Sequence, residues 1–274
     1  MSSLIPKLDL NNCQKIPQIG LGLWQVKNEA EFQTAFTAAI AAGYRHFDTA
    51  QIYGNEPMLG RAWKSSRLKR EDLFITTKIS VENFGSRRTI KSFYKSLENL
   101  QTEYVDLLLL HFPVSLLRKS SWLALEQIQK QGKARSIGVS NYTIRHLKDL
   151  KKYANFTPAI NQVELHVFLQ QSELIAYCHD NGIVVEAYSP LAHAKDMNEV
   201  VISNIANKYG KSYAQIMLRW CVEQGLVVIP KSVTTSRIKE NIDIFDFALD
   251  DDDKQKLTSL DRGMRTCWNP TLVP

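Results

Sequence analysis

Four residues of this chain have types and spacing that could do chemistry together: Asp48, Tyr53, Lys78 and His111. Asp48 lies near the end of the stretch YRHFDTA (44–50), with Tyr53 in the short loop beyond it. Lys78 closes DLFITTK (72–78), and His111 closes VDLLLLH (105–111). Singly, each has an ordinary role: an aspartate caps a helix, a loop tyrosine packs, a lysine meets solvent, a histidine is satisfied by a carbonyl. Gathered at one place they suit carbonyl reduction, which needs a hydride at carbon and a proton at oxygen. A phenol with an unperturbed pKa near ~10 donates poorly at neutrality unless its phenolate is stabilised. An ammonium at Lys78 beside Tyr53 supplies that stabilisation. Burying the ammonium alone is costly, so Asp48 is needed to hold and neutralise it. His111 can donate a hydrogen bond to the substrate oxygen, which orients and polarises it.

These residues need a scaffold that brings several strand ends to one mouth. Eight short apolar runs recur along the chain, at 20–24, 44–50, 72–78, 105–111, 134–140, 159–164, 183–189 and 226–232. Their nearly continuous apolarity predicts strands of a parallel sheet buried on both faces. Helical patterns separate them. Phe32, Ala35, Phe36, Ala39 and Ile40 form an apolar stripe, with Asn28 and Glu31 at its start and Gly43 at its end. A second such segment has Ser212 and Gln215 at its start and Gly225 at its end. Alternating strands and helices with right-handed crossovers predict an α/β fold, a (β/α)8 TIM barrel formed by one domain over 1–274. The preceding segment, with Asn11-Asn12 as its turn, predicts a β-hairpin closing the bottom. Active sites of such barrels sit at the C-terminal strand ends. Those ends add Ser140, Asn141, Gln162, Glu164, Tyr188, Ser189, Lys231 and Ser232 to the four residues above.

Composition narrows the classes. The chain has 274 residues, 44% hydrophobic and 23% charged, enough for a sizeable core without staples. Its four cysteines, Cys13, Cys178, Cys221 and Cys267, form no CxxC pair, so neither a zinc site nor a disulfide framework is indicated. The net charge of +6 is spread over the chain rather than massed in one arm, which argues against nucleic acid and suits a phosphorylated small molecule. MSSLIPKLDL lacks the pattern of a signal peptide, and no apolar run approaches a membrane span, so a soluble, cytoplasmic monomer is expected.

The motifs resemble the aldo-keto reductase superfamily over essentially the whole chain. GYRHFDTAQIYGNE resembles that family's most diagnostic segment, while TTK and LLLHFP resemble the segments carrying its lysine and histidine. GVSNY, NQVE, AYSPL and IPKSVTTSRIKEN match its cofactor-binding segments in order. The resemblance implies that Asp48, Tyr53, Lys78 and His111 are a catalytic tetrad, that the cofactor is NADPH and that no metal takes part. It places the cofactor against Gly22, Leu23, Trp24, Asp48, Ser140, Asn141, Gln162, Tyr188, Ser189, Leu191, Lys231, Ser232, Val233, Arg237, Glu240 and Asn241. Tyr188 offers a flat face to a nicotinamide, and Ser140, Asn141 and Gln162 offer hydrogen bonds to its carboxamide. Lys231, Ser232 and Arg237 at a helix start suit a 2′-phosphate. No GxGxxG is present, so a Rossmann mode is not indicated.

Departures bear on the substrate. Phe112 follows the histidine where many relatives have Trp, and Val167 replaces a proline. The loops FPVSLLRKSS (112–121) and LAHAKDMNE (191–199) and the tail from Asp261 are short. Within the family this pattern is most similar to microbial 2,5-diketo-D-gluconate and methylglyoxal reductases. An open pocket for small aldehydes, 2-oxoaldehydes or keto sugar acids is expected, contacted by Trp24, Tyr53, His111, Phe112 and Trp268. The alternative is an NADPH-binding sensor or regulatory subunit with little turnover.

Overall fold

The computed structural model describes residues 5–194 and 199–273, so Lys195–Asn198 of the loop after the seventh predicted strand lie outside the described residues. The eight apolar runs form β3 (Leu21–Gly22), β4 (His46–Asp48), β5 (Phe74–Ile79), β6 (Val105–Leu110), β7 (Ala134–Ser140), β8 (Ile160–Glu164), β9 (Val184–Tyr188) and β10 (Val227–Ile229). All seven ladders between neighbours are parallel. Bridges from Ile19 to Val228 and from Gly22 to Lys231 bring the first strand of the barrel against the last. Gly22 is required there, because a Cβ on it would lie 2.9 Å from the carbonyl oxygen of Ile229. The first strand is shorter than the predicted 20–24, since the chain leaves the ladder after Gly22 and turns at Gln25, whose φ is 61°.

Two further strands, β1 (Lys7–Asp9) and β2 (Lys15–Pro17), pair antiparallel ahead of the barrel. Leu10 and Ile16 of this hairpin pack into one cluster with Phe74, Leu107, Leu109 and Ile160 of the barrel interior. The turn is tied down by Asn11 Nδ2, which donates to the carbonyl of Pro158 at 3.0 Å, and by Asn12 Nδ2, which donates to that of Arg135 at 2.9 Å. Those carbonyls precede β8 and sit at the start of β7, so the hairpin closes the N-terminal end of the barrel, opposite the mouth.

Ten α-helices accompany the strands among the described residues: α1 (Glu29–Ala42), α2 (Glu56–Ser65), α3 (Ser86–Leu100), α4 (Arg118–Lys130), α5 (Ile144–Leu150), α6 (Ser172–Asp180), α7 (Val200–Tyr209), α8 (Tyr213–Glu223), α9 (Thr235–Ile242) and α10 (Asp251–Thr258). The end signals read from sequence are used. Asn28 accepts from the backbone of Glu31 at the start of α1, and Gly43 ends it at φ 104°. Ser212 and Gln215 form a reciprocal capping box on α8. Phe32, Ala35, Phe36 and Ala39 are buried as the stripe requires.

Candidate active site

Asp48 is the last residue of β4, Lys78 the next to last of β5, and His111 follows β6 directly. Tyr53 closes a short 3-10 turn, Gln51–Tyr53, ended by Gly54 at φ 70°. That turn is held from both sides. Asn55 Nδ2 donates to the carbonyls of Leu23 at 2.8 Å and Val26 at 3.0 Å, and Thr49 donates to Asn55 Oδ1 at 2.6 Å. Gln51 reaches Ser96, Asn83 and the backbone of Ser80 at 2.9–3.0 Å. The phenol is thereby fixed over the strand ends. Lys78 Nζ donates to Asp48 Oδ1 at 2.6 Å, to the carbonyl of Thr49 at 3.0 Å and to the Tyr53 hydroxyl at 3.3 Å. The His111 ring meets the Tyr53 ring edge-on, with centroids 5.6 Å apart.

Burial works against a charge on Lys78, yet the Asp48 carboxylate and the Tyr53 hydroxyl outweigh it and raise its pKa. The ammonium is therefore retained at every ordinary pH. For Tyr53, burial is also the largest influence, and it raises the phenol despite the opposing pull of Lys78. Lys78 offsets part of that burial cost, and the resting hydroxyl stays protonated. His111 is lowered to about 3 by burial and by Lys78, leaving a neutral imidazole able to donate one N–H.

Tyr53 and His111 open into a cleft of about 890 Å³ at the barrel mouth. Its lining includes the exposed Lys231 and Arg237 beside the start of α9, whose first backbone N–H groups lack helical partners. Tyr188, Asn141 and Gln162 line it as well. The Tyr188 hydroxyl donates to Asn141 Oδ1 at 2.7 Å, which fixes the ring as one wall. The lining thus offers cations and a helix start for an anionic group and an aromatic face with amides for a flat polar ring.

The aldo/keto reductase family model matches residues 18–262, nearly the whole barrel. The chain belongs to the aldo/keto reductase family. It is 45% identical over 269 residues to glyoxal reductase of Bacillus subtilis, covering 98% of each chain. To methylglyoxal reductase DkgA of Escherichia coli K12 it is 44% identical over 267 residues, covering 96% of each. Among solved structures it resembles an aldo/keto reductase from Brucella melitensis, with a TM-score of 0.91 and 45% identity over 94% of this chain and 100% of that one. It also resembles the silkworm aldo-keto reductase AKR2E5 complexed with NADPH, with a TM-score of 0.92 and 35% identity over 96% and 90% of the two chains.

Against this family pattern, the structure brings almost every residue singled out from sequence to the same cleft. Gly22, Trp24, Asp48, Ser140, Ser189, Leu191, Ser232, Val233, Glu240 and Asn241 line it, with the residues already named, as do Phe112 and Trp268. Leu23 does not; its side chain turns into the core and is fully buried. Lys78 sits behind Tyr53 rather than on the wall, with no exposed surface. Asn141 spends both amide hydrogens inside the protein, on the carbonyl of His111 and on Ser140 Oγ, each at 3.0 Å. Only its oxygen retains capacity for a ligand. Ser140 Oγ in turn donates to the carbonyl of Gln162 at 3.0 Å.

Two groups include residues not singled out from sequence, Thr266 and Cys267 in the tail and His46 and Glu186 beneath the tetrad. The C-terminal tail forms part of the wall through Thr266, Cys267 and Trp268, and Trp268 meets the Phe112 ring edge-on at 6.2 Å. The tail is pinned by Glu164 at the end of β8. Its buried carboxylate accepts from Thr266 N at 2.5 Å, Thr266 Oγ1 at 2.6 Å and Cys267 N at 3.1 Å. Burial raises this carboxyl, but His166 at 3.5 Å and the hydrogen bonds from Thr266 and Cys267 win and hold it down at about 2. Beneath the tetrad lies the second group, Gln162, Glu186 and His46, all buried. A glutamate inside the apolar run IVVEAYS was the available signal.

Proposed function

We propose that this protein is an NADPH-dependent reductase that converts small aldehydes, 2-oxoaldehydes or keto sugar acids to alcohols, with Tyr53 as proton donor. The observation that carries this reading is the Asp48–Lys78–Tyr53 chain, at 2.6 and 3.3 Å, ending beside a neutral His111 in an open cleft. The relatives named for glyoxal and methylglyoxal reduction, and a structural neighbour crystallised with NADPH, support the substrate class and the cofactor.

The donor set fits NADPH. Lys231 and Arg237 would hold its 2′-phosphate, Tyr188 would stack on the nicotinamide, and Gln162 Oε1 and the second lone pair of Asn141 Oδ1, which already accepts from Tyr188, would accept from the carboxamide. When bound, the cofactor supplies the hydride. The remaining work belongs to the chain. His111 Nδ1–H or Nε2–H donates to the substrate oxygen, which sets the carbonyl's orientation and draws electron density from its carbon. Tyr53 gives its proton to that oxygen as charge builds there. The phenolate left behind is stabilised by the Lys78 ammonium, which Asp48 keeps paired throughout. Thus burial keeps the proton on the phenol before reaction, and Lys78 limits the cost of removing it.

Steady-state oxidation of NADPH with glyoxal, methylglyoxal, 2,5-diketo-D-gluconate and a steroid ketone tests the proposal. The small dicarbonyls should show the highest kcat/KM. Absence of turnover with every carbonyl would defeat the enzymatic reading, and a steroid ranking first would defeat the substrate class.

A further inference from the structure

The tetrad rests on a second carboxyl that the reaction above does not use. Gln162 Nε2 donates one hydrogen to Asp48 Oδ2 at 2.8 Å and the other to Glu186 Oε2 at 2.7 Å. One amide thus joins two carboxyl groups with no exposed surface on Glu186. From β4, His46 Nε2 lies 3.6 Å from Glu186 Oε1, and the same nitrogen contacts Thr76 Oγ1 of β5 at 3.1 Å. Burial and Lys78 keep His46 neutral. Lys78 of β5 is the ammonium nearby, and it is already engaged by Asp48. β10 contributes Val227 opposite Glu186 in the ladder, with no charge. The interior therefore holds two carboxyls, Asp48 and Glu186, for one ammonium. Glu186 Oε1 has no hydrogen-bond partner, as expected of a group kept neutral rather than of a buried anion. Burial, reinforced by the Asp48 carboxylate, pushes the Glu186 carboxyl up to about 8.

Hydride transfer changes the charge of the nicotinamide ring by one. The oxidised ring is positive and the reduced ring is neutral. The proposed ring position is against Tyr188, two residues beyond Glu186 on β9, with Gln162 between the carboxamide and Glu186. A positive charge placed there favours the ionised form of Glu186, and an ionised Glu186 favours the positive ring in return.

Resting on the NADPH reading above, we propose that Glu186 is a positioning residue that carries an exchangeable proton linked to the cofactor's redox state. It is protonated when the mouth is empty or holds NADPH and gives the proton up to solvent when NADP+ is bound. Gln162 keeps the two carboxyls at hydrogen-bond distance, so Asp48 remains the partner of Lys78 in both states.

The test is the ratio of dissociation constants for NADP+ and NADPH, measured by protein fluorescence between pH 6 and 9. Both forms carry the same 2′-phosphate, so its titration largely cancels in the ratio. In the wild-type protein NADP+ should gain on NADPH as pH rises, by at most tenfold per pH unit for a single linked proton. Glu186→Gln should flatten this dependence, whereas Tyr53→Phe should retain it. A flat wild-type ratio would overturn the proposal, as would a slope that survives Glu186→Gln and vanishes in Tyr53→Phe, because the proton would then be the phenol's. Failure of both cofactors to bind at any pH would instead defeat the NADPH reading itself, and this proposal with it. Infrared difference spectra of the wild-type protein give a readout that needs no variant. The carbonyl band of a protonated carboxyl should be lost on adding NADP+ and kept on adding NADPH; its persistence in both would overturn the proposal.

Discussion

The Tyr53 hydroxyl stands 3.3 Å from Lys78 Nζ, while that same nitrogen lies 2.6 Å from Asp48. The ammonium is thus nearer the carboxylate it must keep than the phenol it must serve. This arrangement lets Tyr53 lose its proton without Lys78 losing its own.

Removing the phenolic oxygen should separate chemistry from binding. Tyr53→Phe keeps the ring and its edge contact with His111, so NADPH affinity by fluorescence titration should change little. kcat for a chemistry-limited carbonyl should fall by roughly 10²–10⁴-fold, the usual share of general acid catalysis. Lys78→Met should be similarly damaging, and the double variant should lose much less than the product of the two losses, because both residues serve one proton transfer. Near-normal kcat in Tyr53→Phe would remove the phenol from the mechanism.

Cofactor choice should depend on the cations at the start of α9. Arg237→Ala should weaken NADPH by roughly ten- to a hundredfold, the range of one charge-assisted phosphate contact of about 1.5–3 kcal/mol. NADH, which lacks the 2′-phosphate, should be affected far less. Equal losses for both cofactors would show that Arg237 touches a part they share.

The tail clamp should respond to acid. Folding lowers Glu164 from 4.5 to about 2, so its contribution is fully present above pH 4.5 and is lost as pH falls towards 2. The shift corresponds to on the order of 2–3 kcal/mol at neutrality. Glu164→Gln should lower the melting temperature at pH 7 and narrow the difference from wild type at pH 3. Because Cys267 and Trp268 form part of the cleft wall, the variant should also raise KM for the carbonyl more than it lowers kcat. Unchanged KM would mean the wall keeps its place without the carboxylate.

Glu186 has the opposite sign. Burial pushes it up to about 8, above the 4.5 of an ordinary glutamate, so the folded state holds the extra proton between those limits. Stability therefore declines as pH rises from 4.5 to about 8 and is level above, by an amount on the order of a few kcal/mol. Glu186→Gln should melt at a higher temperature than wild type at pH 8, with the gap closing towards pH 4.5. Equal melting temperatures at pH 8 would show that the carboxyl is not destabilising there.

What was legible in the sequence follows from what is local. Asp48, Lys78 and His111 could be read because each ends an apolar run, and parallel barrels gather such ends at one mouth. Asn28, Gly43 and the Ser212–Gln215 box could be read because capping acts within a few residues. The Gln162 bridge was not readable, since it depends on the register that sets Gln162 opposite Glu186 and on the inward turn of Asp48 from the far side of the barrel. The sequence places an ammonium beside the phenol, but only the packed structure weighs that ammonium against loss of water. The tail residues Thr266 and Cys267 were missed because nothing near them in sequence announces Glu164, a partner about a hundred positions away.

The meeting of Gly22 with Lys231, and of Ile19 with Val228, also sets a timetable for synthesis. The seam joins one of the earliest parts of the chain to one of the latest. Leu21–Gly22 pairs with β4 on one side, and its other side cannot be closed until Val227–Ile229 has been synthesised. Intermediate chain lengths therefore expose unpaired strand edges and apolar surface, the features that recruit holding chaperones or, failing them, neighbouring nascent chains.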